Sequence, residues 1–457
     1  MTQTEHTSSS SDRDGVVQRV AFQNVGCKLN QYETEALQHR FGKGGFHVVP
    51  FGEVADVYVV NTCTVTGAGD ADSRKAVRRA RRLAPGATVV ATGCYAQRRP
   101  AELEEAGADL VVSNTEKAGL FEAVESLLED GEKAEVAPGR RRRTETFLQI
   151  DGLVPQGRTR GTLQIQDGCD EHCTYCIIPV VRGEGVSRPA EEILTQARQM
   201  VVAGYKELAL TGVHSGSYGS DGGGEDLVDL LRGLDEIDGL CRTRLNSIEP
   251  GWVSDAVIEH AAQSRTFCRH FHIPLQSGDD EILRRMGRRY SRAHYAERVE
   301  KISRLIPDCA IGADVMVGFP GESEEHFANT TEFVTGLPLT YLHVFSYSSR
   351  PGTAAERMKS HHPRATKGER ARRLIAIADE KRFAFHRRFV ERSVTVLIEE
   401  GAGPSGLLRG MTDNYTKVLF EAPGRTGRAS NEFATVRITS AREDLIFGIE
   451  EGVVTTT

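Results

Sequence analysis

Three cysteines crowd into Gly168-Cys169-Asp170-Glu171-His172-Cys173-Thr174-Tyr175-Cys176, a C-x3-C-x2-C loop. Three thiolates on so short a loop can hold three irons of a four-iron cluster and leave the fourth iron open to an exogenous ligand. The competing chemistry is structural zinc, which needs a fourth protein ligand to close its coordination. His172 is the nearest candidate, but it lies between two of the cysteines and is badly placed to reach the same metal. The open position favours the cluster.

A second set, Cys27, Cys63 and Cys94, is spaced too widely for a local motif. Each follows a strand-like run: Val17–Gln23, Val57–Asn61 and Thr88–Thr92. In a parallel sheet all three then reach the carboxyl edge, where doubly wound folds bind ligands. Any one of them alone reads as a half-buried thiol; three in register read as a shared site. Cys241, Cys268 and Cys309 instead precede strand candidates, which predicts core packing near the opposite rim.

The elements that must hold these thiols are legible as alternation. Residues 17–128 add a fourth strand run, Asp109–Val112, and helical stretches near 30–42, 70–83 and 115–128, implying βαβ units and a parallel sheet. A second alternating series spans 160 to about 385. Its strand candidates are Thr162–Gln166, Lys206–Thr211, Arg242–Ile248, His270–Pro274, Ile311–Val317 and Tyr341–Tyr347, and in 189–203 the residues Ile193, Leu194, Ala197 and Val201 share a helix face. Six βα units make a partial barrel, two short of the eightfold form. A basic helix over about 364–392 closes the series. From Ser393 short runs (Val394–Glu399, Leu407–Met411, Lys417–Glu421, Glu432–Ile438, Asp444–Gly448) alternate with glycine- and proline-bearing turns, the pattern of a small antiparallel barrel.

The 457 residues accommodate roughly three domains. The fold class is α/β: a doubly wound parallel-sheet domain over 17–130, a partial (βα)6 barrel over 155–386 and a β-barrel over 387–454, with a disordered tail at 1–16 and a linker at 131–154. No apolar run approaches the ~20 residues that span a bilayer. The opening MTQTEHTSSSSDRD lacks the features of a secretion signal, and nine cysteines, an odd count, argue for a reducing cytoplasm. The net charge of −7 advertises no overall nucleic-acid field.

If the six strands are parallel, their carboxyl ends converge around the open iron. Thr211 and Gly212 end the second strand, Ser247 and Glu249 the third, and Gln276 the fourth. Singly these are routine turn residues; together they make a cofactor rim.

The chain after the tail resembles a radical S-adenosylmethionine methylthiotransferase with a C-terminal TRAM domain. The resemblance rests on both cysteine sets and on Leu408-Arg409-Gly410-Met411-Thr412-Asp413-Asn414-Tyr415. Gly26-Cys27-Lys28-Leu29-Asn30-Gln31-Tyr32-Glu33-Thr34-Glu35 resembles the branch that acts on threonylcarbamoyladenosine in tRNA, while the isopentenyladenosine and ribosomal-protein branches typically differ after this cysteine. The resemblance implies two [4Fe-4S] clusters. That on Cys169, Cys173 and Cys176 binds S-adenosylmethionine, with Tyr175 near the adenine, and cleaves it to a deoxyadenosyl radical. That on Cys27, Cys63 and Cys94 carries the sulfur to be inserted. A second S-adenosylmethionine methylates that sulfur, and the methylthio group replaces hydrogen at carbon 2 of the modified adenine. No further catalytic side chain is implied.

The partners so implied are tRNA, a flavodoxin- or ferredoxin-like electron donor and a sulfur donor. Residues 364–392 carry ten basic against four acidic residues, and two further basic groups run over 74–82 and 284–292. Each such run alone is ordinarily a solvated helix face. The terminal barrel, with six basic and eight acidic residues over 393–450, must use a local face to touch RNA: Arg409, Asn414, Tyr415 and Lys417, with Tyr415 available to stack. The alternatives are methylthiolation of isopentenyladenosine or of a ribosomal protein side chain, and a zinc-stabilised RNA-binding protein without activity.

Overall fold

The computed structural model describes residues 17–130, 147–148, 150, 159–222, 224–399, 406–423 and 430–452. The expected tail at 1–16 and most of the expected linker at 131–154 lie outside the described residues.

In the N-terminal part five strands, β1 (Arg19–Asn24), β2 (His47–Val49), β3 (Val57–Thr62), β4 (Thr88–Gly93) and β5 (Leu110–Val111), form a sheet in the order β2-β1-β3-β4-β5. Every pairing in it is parallel. All six residues of β3 are buried, as a central strand covered on both faces by helices requires. One face packs Leu37, Phe41, Leu120 and Val124; the other packs Val77, Ala80, Tyr95 and Leu103. Chain order reverses between β1 and β3, so a crevice opens at their carboxyl ends. The edge strand β2 is an element the sequence pattern does not declare: three residues are too few to display a period.

The central part lines up β6 (Arg160–Gln164), β9 (Glu207–Thr211) and β10 (Arg242–Leu245) in one parallel sheet, and β11 (His270–His272), β12 (Ala310–Val317) and β13 (Tyr341–Ser346) in another. A bridge between Thr243 and Phe267 and a 3.0 Å bond from the Ile248 N–H to the His272 carbonyl join the two halves. β6 and β13 are not paired, so the six strands make an open wall with one core around Leu163, Leu210, Phe271, Ile311 and Val315. The run expected as one strand over Thr162–Gln166 breaks after Gln164; Gln166–Asp167 (β7) pairs antiparallel with Val186–Ser187 (β8), a clasp at the base of the cysteine loop.

The long basic helix spans Arg364–Arg387 and ends five residues before the expected 392. Beyond it β14 (Ser393–Ile398), β15 (Leu408–Thr412), β16 (Lys417–Glu421), β17 (Phe433–Ala441) and β18 (Ile446–Gly452) close into a barrel, β14-β15-β16-β18-β17. Four seams are antiparallel and the β16–β18 seam is parallel. Two arginines of β10 clamp this barrel to the core: Arg242 donates to the carbonyls of Met411 and Thr395 at 2.9 Å, Arg244 to those of Asp413 and Thr412 at 3.0 and 3.1 Å. Cys268 and Cys309 are buried as expected, but Cys241 is exposed: it lies at the turn entering β10, on the side away from the core. No helix among the described residues is long and apolar enough to cross a membrane.

Candidate active site

The carboxyl-edge expectation holds for Cys27, Cys63 and Cys94. Cys27 caps the helix Lys28–Lys43 after β1, Cys63 follows β3, and Cys94 opens the helix Cys94–Arg98 directly off β4. Gly26, at φ 107°, makes this closeness possible: a Cβ there would fall 2.7 Å from Cys63 Cβ and 2.8 Å from its Sγ. The Asn30 amide ties the two turns by donating to the carbonyls of Val25 (2.9 Å) and Thr62 (3.0 Å). The cysteine loop at 169–176 is held as tightly. Gly168 adopts φ 71° where a Cβ would stand 1.8 Å from the Glu184 carbonyl oxygen, and the Cys169 and Thr174 N–H groups donate to Gly183 and Met286. Backbone N–H groups of Glu171 and Ile178 point at Cys169 Sγ (3.4 Å) and Cys176 Sγ (3.5 Å), the kind of donor that tunes cluster sulfurs.

The donor sets fit a cluster better than one metal ion. Zinc at ~2.3 Å from each sulfur needs sulfurs about 3.8 Å apart. Among the described residues neither cysteine set brings three sulfurs within 4.8 Å of one another. Three sulfurs on three different irons have no such requirement. Burial pushes the Cys94 and Cys176 thiols up to about 11 and Cys169 up to about 12, and raises Cys63 and Cys173 as well. A bound metal centre favours the thiolate, the form that ligates it.

Each set lines its own cavity. Cys27, Cys63 and Cys94 open onto one of about 490 Å³, and Cys169, Cys173 and Cys176 onto one of about 310 Å³. Val65, Ile178, Val213, Ser247 and Asp314 line both, so the chambers adjoin across a shared wall.

The smaller chamber gathers Tyr175, Ser247, Glu249 and Gln276, four of the six residues expected to bind the cofactor. Thr211 and Gly212 face the larger chamber instead. Tyr175 packs edge-on to Phe319 with centroids 6.4 Å apart. Arg288, read from sequence as part of a surface cluster, is a wall of this chamber: it donates to Glu249 and to the Tyr175 hydroxyl, both at 2.6 Å. Gln276 Oε1 and His214 Nε2 are buried with no hydrogen-bond partner, and both residues line the chamber, as atoms awaiting a polar ligand do.

The larger chamber rests on a buried charge network that bridges the N-terminal sheet and the cysteine loop. Arg182, 1% exposed, donates to both oxygens of Asp167 at 3.0 Å, to Glu33 at 3.1 and 3.2 Å and to Asn30 at 2.6 Å. Lys117 adds a 2.5 Å contact to Glu33. Burial works to raise the Glu33 carboxyl, but Arg182 and Lys117 outweigh it and hold the group below its ordinary range. On another wall Asp314 sits 3.0 Å from His272 and 3.4 Å from His343, and Tyr341 joins His270 (2.8 Å) to His272 (3.2 Å). Lys28 bonds Asn246 Oδ1 at 2.8 Å across the cavity; its side chain stays open to solvent through the chamber, while the protein packed around it, with Arg160 and Arg244 nearby, brings its ammonium down to about 8.

The four residues expected to touch RNA separate. Tyr415 turns inward and lines the larger chamber. Asn414 is buried, its amide spent on the Asp308 carbonyl at 3.0 Å, so it serves the barrel-to-core joint and offers RNA nothing. Arg409, paired with Glu399 at 3.0 Å, and Lys417 are exposed. Much of the basic helix is likewise engaged: Arg370 is buried on Glu322 and Glu324, Lys381 caps the carbonyls of Thr335 and Leu337, and just past its end Arg388 and Arg392 bind Asp308.

Residues 163–334 match the Radical SAM superfamily, and residues 19–113 match a group described as uncharacterized protein family UPF0004. The chain is 40% identical over 407 residues to a threonylcarbamoyladenosine tRNA methylthiotransferase of Bacillus subtilis, covering 88% of this chain and 90% of that one. It is 39% identical to a relative of the same name from Aquifex aeolicus (90% and 98% covered). The chain belongs to the radical S-adenosylmethionine methylthiotransferase family. A tRNA-2-methylthio-N(6)-dimethylallyladenosine synthase of Desulfitobacterium hafniense is 32% identical over 95% of this chain and 97% of its own. In fold this methylthiotransferase is similar to the radical S-adenosylmethionine methyltransferase TsrM from Kitasatospora setae, with TM-score 0.54, 17% identity and 75% and 77% of the chains covered. An iron–sulfur cluster and S-adenosylmethionine belong to the chemistry of the Radical SAM superfamily that residues 163–334 match.

Proposed function

We propose that this enzyme adds a methylthio group to carbon 2 of N6-threonylcarbamoyladenosine next to the anticodon of tRNA. The observation that carries the reading is the pair of cysteine sets opening into adjoining cavities with a common wall. When bound, two [4Fe-4S] clusters and S-adenosylmethionine supply the radical that removes the ring hydrogen and the methylated sulfur that replaces it. A ring carbon with no acidic proton and no leaving group is out of reach of acid–base catalysis, so the side chains hold and shield rather than exchange protons.

Cys169, Cys173 and Cys176 would hold the first cluster and Cys27, Cys63 and Cys94 the second. Tyr175, Ser247, Glu249 and Gln276 would surround S-adenosylmethionine, with Arg288 fixing Glu249 and Tyr175. Thr211 and Gly212, set on the wall of the larger chamber, would face the adenine. Tyr415 would meet the base there, and Arg409 and Lys417 would meet phosphates outside. A flavodoxin- or ferredoxin-like electron donor and a sulfur donor complete the reaction.

Two measurements test this. Anaerobically purified protein should be brown and carry about eight irons, two clusters' worth; a colourless zinc protein would end the reading. Mass spectrometry of tRNA nucleosides from a deletion strain should show the methylthio form of threonylcarbamoyladenosine gone and other methylthio nucleosides intact. Loss of the isopentenyl form instead would assign the other tRNA branch.

A further inference from the structure

The substrate proposed above carries a charge that most adenosines lack, the carboxylate of its threonyl group. A carboxylate entering a chamber of about 490 Å³ needs a cation not already matched to a protein acid. The larger chamber and the smaller cavity of about 270 Å³ beyond it are lined between them by five lysine or arginine side chains: Lys28, Arg160, Arg182, Arg244 and Arg409. Four are matched. Arg182 lies on Glu33 and Asp167, Arg160 and Arg409 on Glu399 at 2.7 and 3.0 Å, and Arg244 on Glu207 at 2.8 Å.

Lys28 is different. Among the described residues no carboxylate lies within ion-pair distance of it, and its hydrogen bond goes to a neutral amide oxygen, that of Asn246. It lines both cavities, beside the thiol of Cys27, and its ammonium stands 5.9 Å from the centre of the Tyr415 ring. It remains accessible although it reaches across from the N-terminal helix to the end of β10. A cation next to an aromatic face at the junction of two cavities suits a ligand that joins an acid to a flat ring.

We propose that Lys28 is a specificity-determining residue that receives the threonyl carboxylate of the modified adenosine, with Tyr415 flanking it. The inference rests on the substrate reading given above. It makes charge, rather than the size of the N6 substituent, the feature this chamber selects. It also explains why the bridge between the two layers ends on an amide: an acid at position 246 would have neutralised the cation.

The test uses iron-loaded enzyme and three anticodon stem-loop RNAs, bearing adenosine, threonylcarbamoyladenosine, or its carboxamide, which keeps the shape and removes the charge. Binding is read by fluorescence anisotropy and conversion by mass spectrometry. Wild-type enzyme should prefer the carboxylate RNA to the carboxamide by roughly tenfold or more, the scale of one charge-assisted hydrogen bond. Lys28→Met should bring that ratio close to one, and Lys28→Arg should retain it. Because each ratio compares two RNAs on one preparation, a partly folded variant does not move it, whereas a purely structural role for Lys28 would weaken both RNAs alike. A wild-type ratio near one, or a Lys28→Met ratio equal to the wild-type one, overturns the inference while conversion of the threonylcarbamoyl RNA keeps the substrate reading standing. Wild-type enzyme that converts none of the threonylcarbamoyl RNA overturns both.

Discussion

Replacing Arg182 by methionine removes the one cation that, among the described residues, touches both sides of the joint between the N-terminal sheet and the cysteine loop. The side chains concerned are almost wholly enclosed: Arg182 is 1% exposed, Asp167 3% and Glu33 7%, so solvent screening offers little relief. The variant takes the arginine from two buried carboxylates at once, and Lys117 stays on Glu33. Breaking a buried pair by deleting one partner costs about 3–5 kcal/mol; Glu33 keeps Lys117, so a loss in the lower part of that range is expected. Urea unfolding followed by circular dichroism should show the loss in the transition that reports the N-terminal sheet. Iron content should fall as well, because Asn30, which accepts from Arg182, also ties the Cys27 turn to the end of β3. A loss below about 1 kcal/mol with full iron loading would refute the claim that this network fastens the two layers. The same network sets an acid limit. Glu33 is held below its ordinary value, so its contribution is complete above about pH 4.3, the unfolded value, and fades as pH falls through the lower folded value. In Glu33→Gln that part of the acid dependence should disappear from a pH titration of stability.

Cys173→Ala should abolish deoxyadenosine formation, measured by chromatography after anaerobic reduction with S-adenosylmethionine. Cys63→Ala should keep part of that cleavage while methylthio-nucleoside formation stops and iron falls from about eight to about four per chain; full methylthiolation by this variant would remove Cys63 from the ligand set. Arg288→Leu leaves Glu249 without its ion pair at 2.6 Å and should weaken S-adenosylmethionine binding by roughly tenfold or more in equilibrium dialysis, with threonylcarbamoyl RNA binding unchanged. Gln276→Ala, which deletes an unpartnered acceptor in the same chamber, should weaken the cofactor by a smaller factor in the same assay.

The strands that carry the chemistry were legible because Val-rich runs such as Val57–Thr62 leave no doubt about burial, and because cysteine placement follows from strand direction once the sheet is parallel. What escaped was whatever depends on distant partners. Glu33 and Arg182 are 149 residues apart, and nothing local marks either as buried. Arg288 sits among Arg284, Arg285, Arg289 and Arg292 and shares their composition, yet it alone turns inward to Glu249 and Tyr175. Asn414 shows the reverse error: a polar residue beside a stacking tyrosine suggests RNA, while the buried carbonyl of Asp308 had the stronger claim. Short pairings fail for a simpler reason, since β2 and the β7–β8 clasp span too few residues to show a period.

Tyr415 gives the terminal barrel a second consequence. The side chain belongs to a turn between two barrel strands, held at φ 63°, and it closes a wall of the chamber that the other two layers leave unfinished. Exchanging this module between relatives would therefore transplant a wall of the chamber along with the barrel. Under the proposed reading, a chimaera built at the end of the long helix would inherit the donor's base preference, and a truncated core would face water where this enzyme faces an aromatic ring.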